Sequence, residues 1–305
     1  MRHRNIAYSL LGARLLLRKS QEITVFLFHE ITDRPSEFQV RSGIHLSFKD
    51  YRKILSGIKQ IYNVMSLSDF LNERMSGQTE FSGLDAPRCL ITFDDAWRGQ
   101  KEAINIATED FRLPITLFTN AGTILGGVDA SALLLAFAKQ NHELLTFDYL
   151  EHLTAQTKKD KRYSRWQGPV MEWSDLVELS IGENVSIANH GFYHVKAKCL
   201  SSEFFNKNVR NNEKVLKTLR GFNRVFAYPH GRPNIDFSPE HDELLRAQGY
   251  DLTFSTQIDY VSSDQVTSLP RVTITQEFAR NNLTNKRFRT FVEGQILISR
   301  YRNRS

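Results

Sequence analysis

Cys89-Leu90-Ile91-Thr92-Phe93-Asp94-Asp95 is an apolar, partly β-branched run that ends on two adjacent carboxylates. Continuous apolar character over a few residues predicts a strand buried on both faces, the kind that parallel sheets use. Two charges at the end of such a strand are costly to desolvate unless they are paired or hold a ligand. Further along, Val185-Ser186-Ile187-Ala188 repeats the pattern and runs into Asn189-His190-Gly191-Phe192-Tyr193-His194, which sets two histidines four residues apart.

Short apolar runs near 23–29, 115–120, 184–189, 224–229, 251–256 and 268–274 join 88–95 as expected strands. Periodic segments at 47–60, 67–75, 98–110, 173–181, 201–220 and 238–248 lie between them and are expected helices. Strands alternating with helices predict an α/β chain with a parallel sheet, and seven such strands suggest an incomplete (β/α) barrel. With 305 residues, 41% of them hydrophobic and 24% charged, the chain has material for one full core; barrels use about 200–250 residues as a single unit. The stretch from Gly126 to Gln167 adds helical patterns around 130–140 and 143–157, then the charged run Lys158-Lys159-Asp160-Lys161-Arg162. An insertion of that length sits on the surface, as a lid, a specificity element or a solvated decoration.

In such sheets ligands gather at the carboxyl ends of the strands. A catalytic zinc-type ion takes three protein ligands and keeps a position open for water, and two histidines with a carboxylate are a common set. Histidines at i and i+4 share one face if their segment is helical. One aspartate then binds the ion while the other is free to act as a base. Such an ion lowers the pKa of a water and polarises a carbonyl, so hydrolysis at an acyl carbon is the expected reaction. Taken singly, Asp-Asp after a strand reads as a turn or helix cap, and His-x-x-x-His as a solvated helix face. Their joint appearance at two strand ends outweighs those readings.

Thr92-Phe93-Asp94-Asp95-Ala96 resembles the Thr-Phe-Asp-Asp-Gly motif of the polysaccharide deacetylases, carbohydrate esterase family four, and Asn189-His190 to His194 resembles their His-Ser/Thr-x-x-His motif. Phe226-Ala227-Tyr228-Pro229-His230-Gly231 is similar to their Pro-containing loop, and Met171-Glu172-Trp173-Ser174-Asp175-Leu176 to the usual lead-in helix. The resemblance covers roughly 23–275, with the motifs in the family's order. It implies a distorted (β/α)7-type barrel in which Asp95, His190 and His194 bind one divalent metal and Asp94 is the general base. It also implies that the His230 backbone N–H donates to the oxyanion, and that Phe226, Tyr228 and Trp97 wall the pocket. Zinc is the default ion, with cobalt, manganese, nickel or iron as other occupants of such a ligand set.

Three departures bear on those roles. Ala96 replaces the motif's glycine and disfavours positive φ. Ala227 stands where many members carry an arginine, so the group that orients the base comes from elsewhere. No histidine follows His241, so the late Leu-x-His that supplies the acid in many members is missing. Arg271, in the last expected strand, is the candidate for orienting Asp94, because its fork suits a carboxylate. His29, at the end of the first strand, is the candidate acid or substrate-binding group; a surface or packing role is the alternative for both.

Residues 1–22 form a basic N-terminal segment and residues 276–305 a basic C-terminal extension. Residues 1–19 and 276–305 each carry five net positive charges, more together than the formal +6 of the whole chain, so the stretch between them is net acidic. Apolar residues interleave with these charges, which predicts either peripheral attachment to an anionic membrane surface or packing on the barrel. No nucleic-acid recognition motif accompanies them. Arg14 interrupts the N-terminal leucines and Arg18-Lys19 replaces a cleavage site, so a secretory signal is not expected. Two cysteines, Cys89 and Cys199, make no disulfide framework, and the expectation is cytoplasmic. The function expected is removal of acetyl groups from an N-acetylated sugar in a glycan or glycan precursor. A sugar O-acetyl esterase, another C–N amide hydrolase and a glycan-binding protein with weakened catalysis are the alternatives.

Overall fold

The computed structural model describes residues 23–75, 86–137, 145–262, 265–280 and 285–302. The basic segment 1–22 lies outside these residues. In chain order the strands are β1 (Ile23–Phe28), β2 (Glu30–Ile31), β3 (His45–Leu46), β4 (Asn63–Val64), β5 (Arg88–Asp94), β6 (Ile115–Thr119), β7 (Val185–Asn189), β8 (Phe222–Ala227), β9 (Thr253–Phe254) and β10 (Val272–Thr273). One sheet runs β10-β1-β5-β6-β7-β8-β9, every neighbouring pair parallel. β4 pairs with the first two residues of β5 and β6 with its last three. The protein is an α/β chain with a curled, distorted barrel, its seven main strands falling where the apolar runs do. Between β9 and β10 the ring is bridged by an irregular segment, through Leu269 N–H to Thr253 O (2.8 Å), Ser255 N–H to Leu269 O (2.8 Å) and Arg271 N–H to Gln257 O (2.9 Å).

β1 and β5 are buried along their whole length, as expected for parallel strands covered on both faces. Alternate residues divide between two cores. Val25, Leu90, Phe118, Ala188, Val225 and Phe254 pack together inside the barrel. Phe26, Phe28, Ile91, Phe93, Leu117 and Ile187 face the helices Phe48–Ile61, Gly99–Asn105 and Trp173–Ile181. Asp94 follows Leu90 and Thr92 at intervals of two, so it belongs to the inward face. Because all strands of this sheet run one way, His29, Asp94, Asn189 and Ala227 meet at a single rim.

The helix Asn285–Arg302 sets Phe288, Val292 and Ile296 into the outer core at the i, i+4, i+8 spacing. The Phe288 ring lies 5.8 Å from that of Phe26, and Arg300 pairs with Asp259 at 2.7 Å. This end of the chain packs on the barrel. The charged run at 158–162 is no simple solvated loop: Asp160 accepts from Arg162 N–H (2.8 Å) and caps the helix Lys161–Gln167, which buries Tyr163 and Gln167. Among the described residues no helix is long and apolar enough to cross a membrane.

Candidate active site

After β5 the chain turns at Asp95, whose φ of +79° is the left-handed conformation. For a non-glycine residue this costs on the order of 1–3 kcal/mol and persists only where the surroundings impose it. Here Gln100 Nε2 donates to Asp94 O (2.5 Å), Trp97 Nε1 donates to Asp95 Oδ2 (2.9 Å), and Met171 N–H donates to Ala96 O (2.7 Å). In a straight strand adjacent side chains point to opposite faces; the turn instead brings Asp95 to the rim beside Asp94. The positive φ therefore falls on Asp95 and not on Ala96, so the extra methyl group in place of glycine meets no backbone obstacle.

The two histidines do not sit on a helix. Residues 190–196 form a bent loop with Gly191 at φ +77°, and a set of buried asparagines fixes it. Asn120 Nδ2 donates to His190 O (2.6 Å) and Gly191 O (2.9 Å), while Asn208 Oδ1 accepts from Tyr193 N–H (2.8 Å). Asn189 Oδ1 accepts from Gly191 N–H (2.8 Å) and from Asn212 Nδ2 (2.7 Å). The helical premise behind the His-x-x-x-His reading fails, yet the loop brings the imidazoles together, their rings 5.2 Å apart.

His190 Nδ1 bonds Ala227 O at 2.7 Å, and His194 Nδ1 bonds Asp129 Oδ2 at 2.9 Å. A carbonyl oxygen and a carboxylate accept only, so both Nδ1 atoms carry the hydrogen and both Nε2 atoms are left to face Asp95. Oδ1 of Asp95 lies 3.4 Å from His190 Nε2 and 3.0 Å from His194 Nε2, and it is buried without a hydrogen-bond partner. One ligand atom from each of Asp95, His190 and His194 lies within 4.8 Å of the others. An orphaned carboxylate oxygen facing two such imidazoles fits a divalent cation. The charges of these groups also act on one another. Burial works to raise the Asp95 pKa, but His194 and His190 outweigh it and hold the carboxyl far below the usual range. Burial works to lower that of His194, but Asp95 and Asp129 prevail and push it up to about 9.

Asp94 is engaged differently. Arg271 grips it with two parallel bonds, Nη1 to Oδ1 at 2.6 Å and Nη2 to Oδ2 at 2.7 Å, and Arg271 Nε donates to Ser255 O at 2.8 Å. His29 is partly buried at the end of β1; burial lowers its pKa against the opposing pull of Asp95 and Asp94. His230 has φ +61°, and its ring stacks on that of His194 at 5.4 Å. Phe226 and Tyr228 do not wall the site as expected. They are buried in a separate core, with Tyr228 stacked on Phe237 at 3.7 Å and its hydroxyl donating to Asp242 at 2.8 Å. Cys199 is not among the groups that cluster around Asp95, and Cys89 is a buried thiol whose pKa burial raises well above its usual value. Sequence reasoning missed Asp129, Gln100 and the asparagines, because their roles come from contacts across the fold and carry no local pattern.

Two carboxylates and two histidines thus share one rim of an α/β barrel. The chain belongs to the polysaccharide deacetylase family, whose model, described as Polysaccharide deacetylase, matches residues 83–252. Among solved structures the fold is similar to that of IcaB from Ammonifex degensii, at 16% identity over 86% of this chain and 96% of that one, with a TM-score of 0.59. It is likewise similar to the Streptococcus pyogenes deacetylase PplD in complex with acetate, at 14% identity over 86% and 96% of the chains, TM-score 0.59. A de-N-acetylase from Aggregatibacter actinomycetemcomitans matches at 13% identity over 86% and 100%, TM-score 0.58. A comparison with curated protein sequences gives no match.

Proposed function

We propose that this member of the family is a metal-dependent hydrolase that removes the acetyl group from an N-acetylated sugar in a glycan or glycan precursor. The observation that carries the reading is the division of labour between adjacent carboxylates: Asp95 turns an unpartnered oxygen toward His190 and His194, while Asp94 is locked by Arg271. Asp95, His190 and His194 would hold the ion, with zinc as the default. When bound, the ion supplies a lowered water pKa and a polarised acetyl carbonyl.

The remaining work falls to the chain itself. Asp94 takes the proton from the attacking water, and Arg271 holds its carboxylate in one orientation so that no rotamer search precedes the transfer. The His230 backbone N–H donates to the oxyanion, a contribution of about 3 kcal/mol to the barrier. His29, at the rim beside Asp94, is the group that gives a proton to the departing amine. Peripheral attachment of the basic ends to an anionic membrane surface belongs to the same reading, and a cytoplasmic location would favour a nucleotide- or lipid-linked precursor as substrate.

The absence of any histidine after His241 favours one second reading, a sugar O-acetyl esterase, since an alkoxide leaves with less help from an acid. Acetate release from matched N-acetyl and O-acetyl sugars, measured on metal-stripped protein with and without added zinc, tests both. Zinc-dependent release from the N-acetyl series supports the deacetylase; release from the O-acetyl series alone makes the protein an esterase; release that is indifferent to zinc contradicts the metal-dependent reading.

A further inference from the structure

We propose that Asp129 is a positioning residue for His194, so that the inserted segment 126–167 is part of the metal-binding apparatus and not a surface decoration. The inference rests on the metal-dependent reading above. Asp129 is 1% exposed, and each of its polar atoms has a separate partner. Oδ2 accepts from His194 Nδ1 at 2.9 Å, and Oδ1 accepts from Ala132 N–H at 2.8 Å, which caps the helix Ala130–Phe137. Its N–H donates to Gln167 Oε1 (2.7 Å) and its carbonyl accepts from Tyr163 OH (3.1 Å), both from the helix Lys161–Gln167.

One helix of the insertion therefore holds this carboxylate and a second holds the backbone of the same residue, which sets Asp129 against the back of a ligand histidine. Ser131, two residues on, extends the contact: its hydroxyl bonds the His194 carbonyl and lies 2.9 Å from His230 Nε2. The other histidine, His190, is held by the neutral carbonyl of Ala227. A carboxylate behind one imidazole and a carbonyl behind the other make the two ligands unequal. The carboxylate fixes the ring and raises its basicity toward a cation, and loss of such a partner weakens metal affinity by about 10- to 100-fold.

The test is the zinc dissociation constant, from competition with a chromophoric chelator, for the full chain and for Asp129→Ala and Asp129→Asn, with circular dichroism and thermal melting as fold controls. Asparagine can turn its oxygen to only one of Ala132 and His194, so it preserves the shape of the site while giving up one bond. Zinc affinity about 10- to 100-fold weaker for folded Asp129→Ala, with a smaller loss for Asp129→Asn, supports the proposal. A merely structural role predicts a lower melting temperature with unchanged zinc affinity in the folded protein, and that result overturns it, as does failure of both variants to fold. A parent chain that binds no zinc overturns this proposal and the metal-dependent reading together, whereas tight binding by parent and variants alike overturns this one only.

Discussion

Arg271 and Asp94 are 177 residues apart in the chain and face each other as a two-armed ion pair at 2.6 and 2.7 Å, with Arg271 fully buried. The guanidinium also lies over the Phe118 ring, 5.5 Å from its centroid. Arg271→Ala leaves a buried carboxylate without its counter-charge, and breaking such a pair costs about 3–5 kcal/mol. Urea unfolding is expected to show that loss, with turnover falling as well. Arg271→Lys keeps the charge but cannot span both oxygens, so it recovers part of the stability and less of the activity.

Gly191 joins the histidine loop to the asparagines beneath it. At φ +77° an added Cβ would stand 2.7 Å from Asn208 Nδ2. Gly191→Ala thus meets backbone strain and a clash at once, and a destabilisation of about 1–3 kcal/mol is expected. Thermal melting and zinc competition should both register it, because the displaced loop carries His190 and His194. An unchanged melting temperature would contradict this account of the loop.

Glu30 is 2% exposed, and burial pushes its carboxyl up to about 8, against hydrogen bonds from Gly99 and Ile31 N–H groups and with help from the Asp95 charge. The unfolded chain releases this proton near 4.5 and the folded chain near 8, so between those values the folded state binds more protons and stability falls as pH rises. Glu30→Gln removes the titration. Its melting temperature should match the parent near the lower of the two values and exceed it near the upper one, by about 2–4 °C per kcal/mol relieved. Parallel melting curves across that window would rule the assignment out.

His29→Ala tests the proton donor. On an N-acetyl substrate the variant should lose about 10²- to 10⁴-fold in kcat, the range for a missing acid catalyst. On an activated acetyl ester, whose leaving group needs no proton, the loss should be much smaller. Equal losses on both substrates would assign His29 to substrate binding, and full turnover would remove it from the site.

The barrel was legible because its long strands are parallel and covered on both faces: β1, β5, β6 and β7 read as short, mainly apolar and β-branched runs. β2, β3 and β4, of two residues each, carry no pattern of their own and exist through neighbours such as Arg88 and Cys89. The helix Lys161–Gln167 was hidden by its own charges, since only Tyr163, Trp166 and Gln167 betray an inner face. Arg271 could be named because it precedes the last strand and Ala227 leaves a vacancy beside the base. Asp129 could not be named. Its bond to His194 spans 65 residues, and locally it is one more aspartate before a helix.

Acetate release and zinc binding, measured side by side for the parent and for Asp94→Asn, test the division between the two carboxylates most directly. The account predicts a variant that binds zinc with parental affinity through Asp95, His190 and His194, yet releases acetate about 10²- to 10⁴-fold more slowly. Undiminished acetate release by Asp94→Asn would contradict Asp94 as the base. Loss of zinc binding in a folded Asp94→Asn would contradict the division itself, because Asp94 would then be holding the metal.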